Sequence, residues 1–169
     1  ILAMAVILLA AYILQYGVFP LCPWIDTVPN LLLIVAVSFG FMKGKKHGMI
    51  VGLFCGLTAD IASMGTLGFF MIVFILIGYL NGAFHRWMYS DYIVFPLIVT
   101  AVSSFLYGCY VYVFQFLIRG RLDFGYYLLH IILPELIYTV ILTAAVYPLL
   151  SLINHKLELT ERRSATKFV

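Results

Sequence analysis

Apart from Asp60, Glu135 and a C-terminal tail, the charged side chains of this 169-residue chain fall in short islands between long apolar runs. Only 10% of its residues are Asp, Glu, Lys or Arg and 64% are hydrophobic, whereas a soluble domain carries about 25% charged residues. Lipid offers the backbone no hydrogen-bond partners, so apolar runs of this kind cross a bilayer as helices. The expected fold is all-α, a polytopic membrane protein with six transmembrane helices, three of them short. Residues 1–169 form a single transmembrane domain, with 154–169 as a cytoplasmic tail. Tyr12, Tyr16, Trp24, Trp87, Tyr89, Tyr107, Tyr126 and Tyr127 lie near the expected helix ends, where interfacial rings collect.

Ile1 to Phe19, apolar apart from Gln15, is about as long as a bilayer needs. Pro20, Pro23 and Asp26 make a turn, and Pro29-Asn30 opens the second segment, Leu31 to Met42. Lys43, Lys45, Lys46 and His47 form a basic loop before the third segment, Gly48 to Ile61, and Ala62 to Thr66 is a small-residue break. Gly68 to Leu80 is the fourth segment, Tyr92 to Ile118 the fifth and Phe124 to Ile153 the sixth, ahead of the polar tail. Segments two to four are short, since fourteen residues cover roughly 21 Å of a core about 30 Å thick. A re-entrant hairpin of segments two and three is the alternative. It would hold Lys43, Lys45 and Lys46 near the bilayer middle at about 2.5–3.5 kcal/mol each, so six spans are expected. Ile1 opens directly in apolar sequence, which reads as a polar start lost before it.

Lys43, Lys45, Lys46, Arg86, Lys156, Arg162, Arg163 and Lys167 fall on one side of these spans, and only Arg119 and Arg121 on the other. The positive-inside rule therefore puts the N- and C-termini in the cytoplasm.

Within the third segment Gly48, Gly52, Gly56 and Asp60 recur every four residues, giving a helix stripe almost without side chains that ends in a carboxylate. Such a stripe admits another helix backbone to backbone. It packs either an internal helix or the span of a partner. An acid in an apolar helix is a functional-site hypothesis by default. Asp60 is expected about 13 residues, or ~20 Å, from the inner surface, in the outer third of the bilayer. Glu135, next to Pro134, is expected in the outer half as well. Two acids at similar depth suggest a polar cavity opening outward, with Arg119 or Arg121 as counter-charge. The bland reading is that Asp60 is merely hydrated and that Glu135 bonds a neighbouring helix.

Known catalytic and nucleotide signatures are missing: no G-x-x-x-x-G-K-[ST], no H-E-x-x-H and no G-x-S-x-G with partners occurs. Cys22, Cys55 and Cys109 share no ligand-like spacing. His130 and Glu135 are five apart and lie on different helix faces. The chain is expected to be no enzyme, to carry no cofactor and no metal, and to bind no nucleic acid. The tail HKLELTERRSATKF is mixed in charge and reads as solvated.

Val28 to Leu80 resembles the MreD family of the bacterial rod-shape system. The matching positions are Pro29-Asn30, Gly52 and Gly56, Asp60, Ser63, Thr66-Leu67-Gly68 and Tyr79-Leu80. Glu135 lies outside that stretch and rests on its placement alone. The resemblance implies a non-enzymatic scaffold of the elongation machinery in the bacterial cytoplasmic membrane. Its implied partners are MreC and, directly or through it, MreB, RodA and a class B penicillin-binding protein. The family also resembles in fold the S components of energy-coupling-factor vitamin transporters, which gives an alternative function with a small-molecule pocket at the acids. Those components usually present A-x-x-x-A on the first helix, and Ala3, Ala5, Ala10 and Ala11 do not give that spacing. A channel or proton-coupled carrier is a third class, and it lacks polar residues to line the inner half.

Overall fold

The protein is described by a computed structural model covering residues 2–21, 27–63, 67–87, 94–117 and 124–165. Every regular element among the described residues is helical. The first helix, α1, runs Leu2–Ile13 and continues through a wider turn, Leu14–Val18, and a tight one, Phe19–Leu21. Next come α2 (Leu31–Lys43), α3 (Lys45–Ser63) and α4 (Phe69–Ala83), with a tight turn at Phe84–Trp87. The fifth, α5, is Val94–Val111 extended by Tyr112–Leu117, and the sixth, α6, strings together Phe124–Tyr127, Leu128–Ile132 and Leu133–Ala165. Three of the six, at Met4–Leu21, Val94–Gln115 and Gly125–Lys156, are long and apolar enough to cross a membrane.

The axis of the fold is α2. All twelve residues from Leu31 to Met42 are buried, with Leu32, Leu33, Ile34 and Ala36 fully enclosed. A helix apolar on every side needs neighbours on every side, and α2 has them. Gln15 of α1 reaches Leu32, Gly40 lies against Gly78 and Asn81 of α4, Phe41 meets Phe95 of α5, and Asn30 meets Thr139 of α6. The pairing of residue numbers shows that α1, α3 and α5 run opposite to α2, α4 and α6. Gly48 opposite Gly78 with Gly56 opposite Met71 makes α3 and α4 antiparallel, and Gly108 against Ile132 with Tyr112 against Tyr127 does so for α5 and α6.

Two boundaries differ from the sequence reading. Only Gly44, at φ +85°, separates α2 from α3, so Lys45, Lys46 and His47 form the first turn of α3 and not a loop. That makes α3 19 residues long, longer than the short segment expected, while α2 and α4 have 13 and 15 residues. At the other end, α6 passes Ile153 and stays helical to Ala165, with Pro148 inside it. The polar segment after residue 154 thus begins as a continuation of the helix, because its Lys, Glu, Leu and Arg residues are good helix formers.

An aromatic seam closes α4 on α5. Phe69 and Tyr110 lie 5.0 Å apart between ring centroids, Phe74 and Tyr107 5.7 Å, and the Tyr110 hydroxyl donates to the Phe69 carbonyl at 3.1 Å. Below that seam, the Asn81 amide donates to Ser103 Oγ at 2.9 Å and to the Ile77 carbonyl at 2.7 Å.

Candidate functional site

The glycine stripe of α3 is spent inside the fold. A Cβ at Gly52 would fall on the Phe74 carbonyl of α4, and one at Gly56 would fall on the Met71 Cα. At Gly48 it would strike the Gly78 carbonyl and, at 2.8 Å, the Gly40 Cα of α2. The glycines of α4 answer in kind. Gly78 faces the Gly48 carbonyl, and a Cβ at Gly82 would sit 2.5 Å from the Lys45 backbone. Two helices therefore touch main chain to main chain over most of their length, with Gly40 bringing α2 into the same junction. The spacing Gly78-x-x-x-Gly82 is the matching half of the stripe and is legible in the sequence.

Asp60, at the end of that stripe, is 1% exposed. Its Oδ2 accepts from the Gly68 amide at 2.8 Å and the Met71 amide at 3.3 Å, and Oδ1 accepts from the Phe70 amide at 2.8 Å. The carboxylate caps the start of α4 from the neighbouring helix, satisfying amides that have no partner within α4, and it lies at the positive end of the helix dipole. Gly68 makes this possible, since the chain enters α4 there in the left-handed conformation, φ +99°. The Ser63 hydroxyl donates to the Asp60 carbonyl at 3.1 Å and finishes α3. Leu67 is exposed beside it, while Thr66 lies outside the described residues.

Glu135 and Asn30 meet at the start of α2. Asn30, following Pro29, is the N-cap, its Oδ1 accepting from the Leu33 amide at 3.0 Å. Its own amide N–H donates to Thr139 Oγ1 at 3.3 Å, and the Leu32 amide donates to Gln15 Oε1 at 3.0 Å. The Glu135 carboxyl and the Tyr107 hydroxyl lie beside the Asn30 side chain. A fully buried helix start is thus closed by side chains from α1, α2 and α6. Gln15 was seen in the sequence only as the one polar residue of its run. No residue spacing could announce that it reaches across to α2.

The two acids sit at different helix starts, Asp60 bonded to the first amides of α4 and Glu135 beside the Asn30 cap of α2. Both helix starts lie at one end of the bundle, and Tyr16 of α1 lies within electrostatic reach of both acids. Arg119 and Arg121, expected as counter-charges, lie outside the described residues. His130 is exposed, its ring stacked 4.2 Å from that of Tyr126. Among the described residues no group of three His, Cys, Asp or Glu side chains is placed to hold a metal ion. Cys55 and Cys109 carry free thiols.

Polar side chains also close the far ends. His85 donates from Nδ1 to the Phe41 carbonyl at 2.7 Å, and His47 lies 3.2 Å from the Lys43 carbonyl. Both serve the last turn of α2, where carbonyls lack partners. Nothing in the spacing of either histidine announces these contacts. Nothing in this arrangement resembles a nucleophile with its base. Asn30, Gln15, Asp60, Thr139, His47 and His85 hold helix ends, and Asn81 with Ser103 joins two helices.

No curated protein and no solved structure matches the chain. The family model of rod shape-determining protein MreD does match, over residues 1–157. It covers α1 to most of α6, well beyond the stretch that carried the resemblance, and the chain belongs to the MreD family of membrane proteins that determine rod shape.

Proposed function

We propose that this chain is a non-enzymatic scaffold of the bacterial cell-elongation machinery. It sits in the cytoplasmic membrane with both termini in the cytoplasm and binds MreC. Directly or through MreC it meets MreB filaments, RodA and a class B penicillin-binding protein, linking the filaments to peptidoglycan synthesis. Family membership supports the role in rod shape. The observation that carries the scaffold reading is the use made of Asp60. The buried acid that would otherwise signal substrate or proton chemistry has both oxygens committed to the backbone of α4.

With the glycine stripe filled by α4, a partner's membrane helix meets the outer faces of the long helices. These present Ile98, Val102 and Leu106 on α5 and Ile137, Ile141 and Leu149 on α6. The test is co-purification of MreC with the chain from membranes, followed by photocrosslinking from Gly52, Asp60, Val102 and Ile141. Crosslinks to MreC from Val102 or Ile141, and none from Gly52, are expected. Recovery of the folded chain without MreC refutes the scaffold reading, and MreC crosslinked at Gly52 refutes the assignment of faces.

A further inference from the structure

Asp60 is consumed by the start of α4, but no helix end requires Glu135. The start of α2 is already closed by Asn30 Oδ1 on the Leu33 amide, Gln15 Oε1 on the Leu32 amide and Thr139 Oγ1 on the Asn30 amide. The half-buried Glu135 carboxyl stands beside the Asn30 side chain, with the phenols of Tyr16, Tyr107 and Tyr127 as its electrostatic neighbours. Among the described residues no Lys, Arg or His pairs with it. A carboxylate withdrawn from water is costly unless something of opposite charge meets it. A second observation falls at the same end of the bundle. All three helices long enough to cross a membrane open into a wide turn there, Leu14–Val18 in α1, Tyr112–Leu117 in α5 and Leu128–Ile132 in α6. The first turn holds Gln15 and Tyr16, the second begins at Tyr112, whose ring lies 5.2 Å from that of Tyr127, and the third runs from just after Tyr127 almost to Glu135. The helices α2, α3 and α4 contain no such turn. Wide turns are rare within helices and recur at functional sites.

We propose that Glu135 and the phenols around it bind a primary ammonium group, carried by a small organic molecule or by a lipid headgroup. One carboxylate balances one positive charge. The groups beside it, phenol hydroxyls and the Asn30 side chain, offer acceptor oxygens, and a primary ammonium brings three N–H donors to meet acceptors. Tyrosine rings add their own attraction for a cation. An anion would meet like charge at Glu135. A divalent metal would bring more charge than one carboxylate balances, and among the described residues no three His, Cys, Asp or Glu side chains are grouped for one. A quaternary ammonium has no N–H and would leave the acceptors unmet. The scaffold reading neither needs nor uses this site, so the two stand or fall separately.

The test is thermal unfolding of the full chain in phosphatidylglycerol nanodiscs at fixed ionic strength. One arm adds ethanolamine to the buffer, and the other replaces part of the lipid with phosphatidylethanolamine. Choline and phosphatidylcholine are the matched quaternary controls. A ligand that binds only the folded chain raises its melting temperature as the site fills. A rise of several degrees is expected in at least one primary-amine arm, and the arm that responds names the source. The quaternary control should act at least several-fold more weakly. Glu135→Gln keeps the shape of the side chain and is expected to abolish the rise. Tyr107→Phe keeps the ring, loses the hydroxyl and is expected to weaken the response several-fold. A rise equalled by the quaternary control overturns the proposal. So does a rise undiminished in Glu135→Gln, or in Tyr107→Phe should the first variant not fold. No rise in either arm overturns it as well, and this is the outcome if Arg119 or Arg121 of the chain itself fills the site.

Discussion

Replacing Asp60 by Ala removes the acceptor of three backbone amides at once, and the size of the loss follows from where those amides sit. Hydrogen bonds to a charged group contribute about 1.5–3 kcal/mol each, which puts a ceiling near ~4.5–9 kcal/mol on three of them. Two effects reduce it. The bonds at Gly68, Phe70 and Met71 are only part-buried, so solvent or lipid headgroups recover some of the lost bonding. Removing a carboxylate that is 1% exposed also relieves its own desolvation. The net expectation is a loss of about 2–4 kcal/mol for Asp60→Ala. Asp60→Asn keeps one carbonyl oxygen but turns an amide donor toward backbone donors, and it should lose roughly half as much. Cys55 offers the readout. Its thiol is free and fully buried on α3, so a maleimide reaches it only when the α3–α4 pair opens. In a background carrying Cys22→Ala and Cys109→Ala, the Asp60→Ala protein in detergent should label roughly 30 to 1,000 times faster than its parent. The Asn variant should fall between. Labelling at the parental rate in both variants would refute the argument that Asp60 holds the start of α4.

Gly52→Ala should overpack a main-chain contact and lower stability by about 3 kcal/mol or more, whereas Gly17→Ala, whose Cβ would meet only Ile13 at 3.9 Å, should leave the melting temperature unchanged or raise it. Thermal unfolding of the two side by side checks this. Asn81→Ala and Ser103→Ala should show a coupling of about 0.6 kcal/mol in a double-mutant cycle, the usual scale for hydrogen bonds between membrane helices; additive losses would mean that the bond contributes nothing. Gln15→Leu leaves the fully enclosed Leu32 amide without its acceptor and should cost about 1–3 kcal/mol, read as faster proteolysis between α1 and α2.

What the sequence displayed was whatever depends on composition and local period. Six apolar runs, the stripe Gly48, Gly52, Gly56, and the pairing of Pro29 with Asn30 as a helix start all follow from side-chain chemistry within a few residues, and each has its counterpart in the structure. Asp60 was recognised as unusual, but its partner is the backbone of Gly68, Phe70 and Met71, and backbone amides have no signature in a sequence. The same blindness hid Gln15, Thr139 and His85, which act on the main chain of another helix at separations of 17, 109 and 44 residues. The start of α3 was misjudged for a different reason. Three consecutive basic residues look like a loop, yet one glycine at positive φ is enough of a turn for them to open a helix.

The short helices give these hidden contacts a common cause. At ~1.5 Å per residue, the 13 residues of α2 reach about 20 Å and the 15 of α4 about 22 Å, against roughly 30 Å of hydrocarbon. Their ends therefore stop where water and headgroups complete the free amides and carbonyls only in part, and a group left alone costs up to several kcal/mol. A long spanning helix escapes this by placing its ends in the interface. A short one survives only if the protein itself supplies the partners. Asn30, Gln15 and Thr139 do so at the start of α2, His85 at its end, and Asp60 at the start of α4. On this view the polar residues of the membrane body accompany helix shortness. Lengthening α4 by a full turn of apolar residues ahead of Phe69, so that its start reaches the interface, should make Asp60→Ala nearly silent in the Cys55 labelling assay. If the substitution remains as damaging in the lengthened protein, Asp60 is doing something other than capping a stranded helix end.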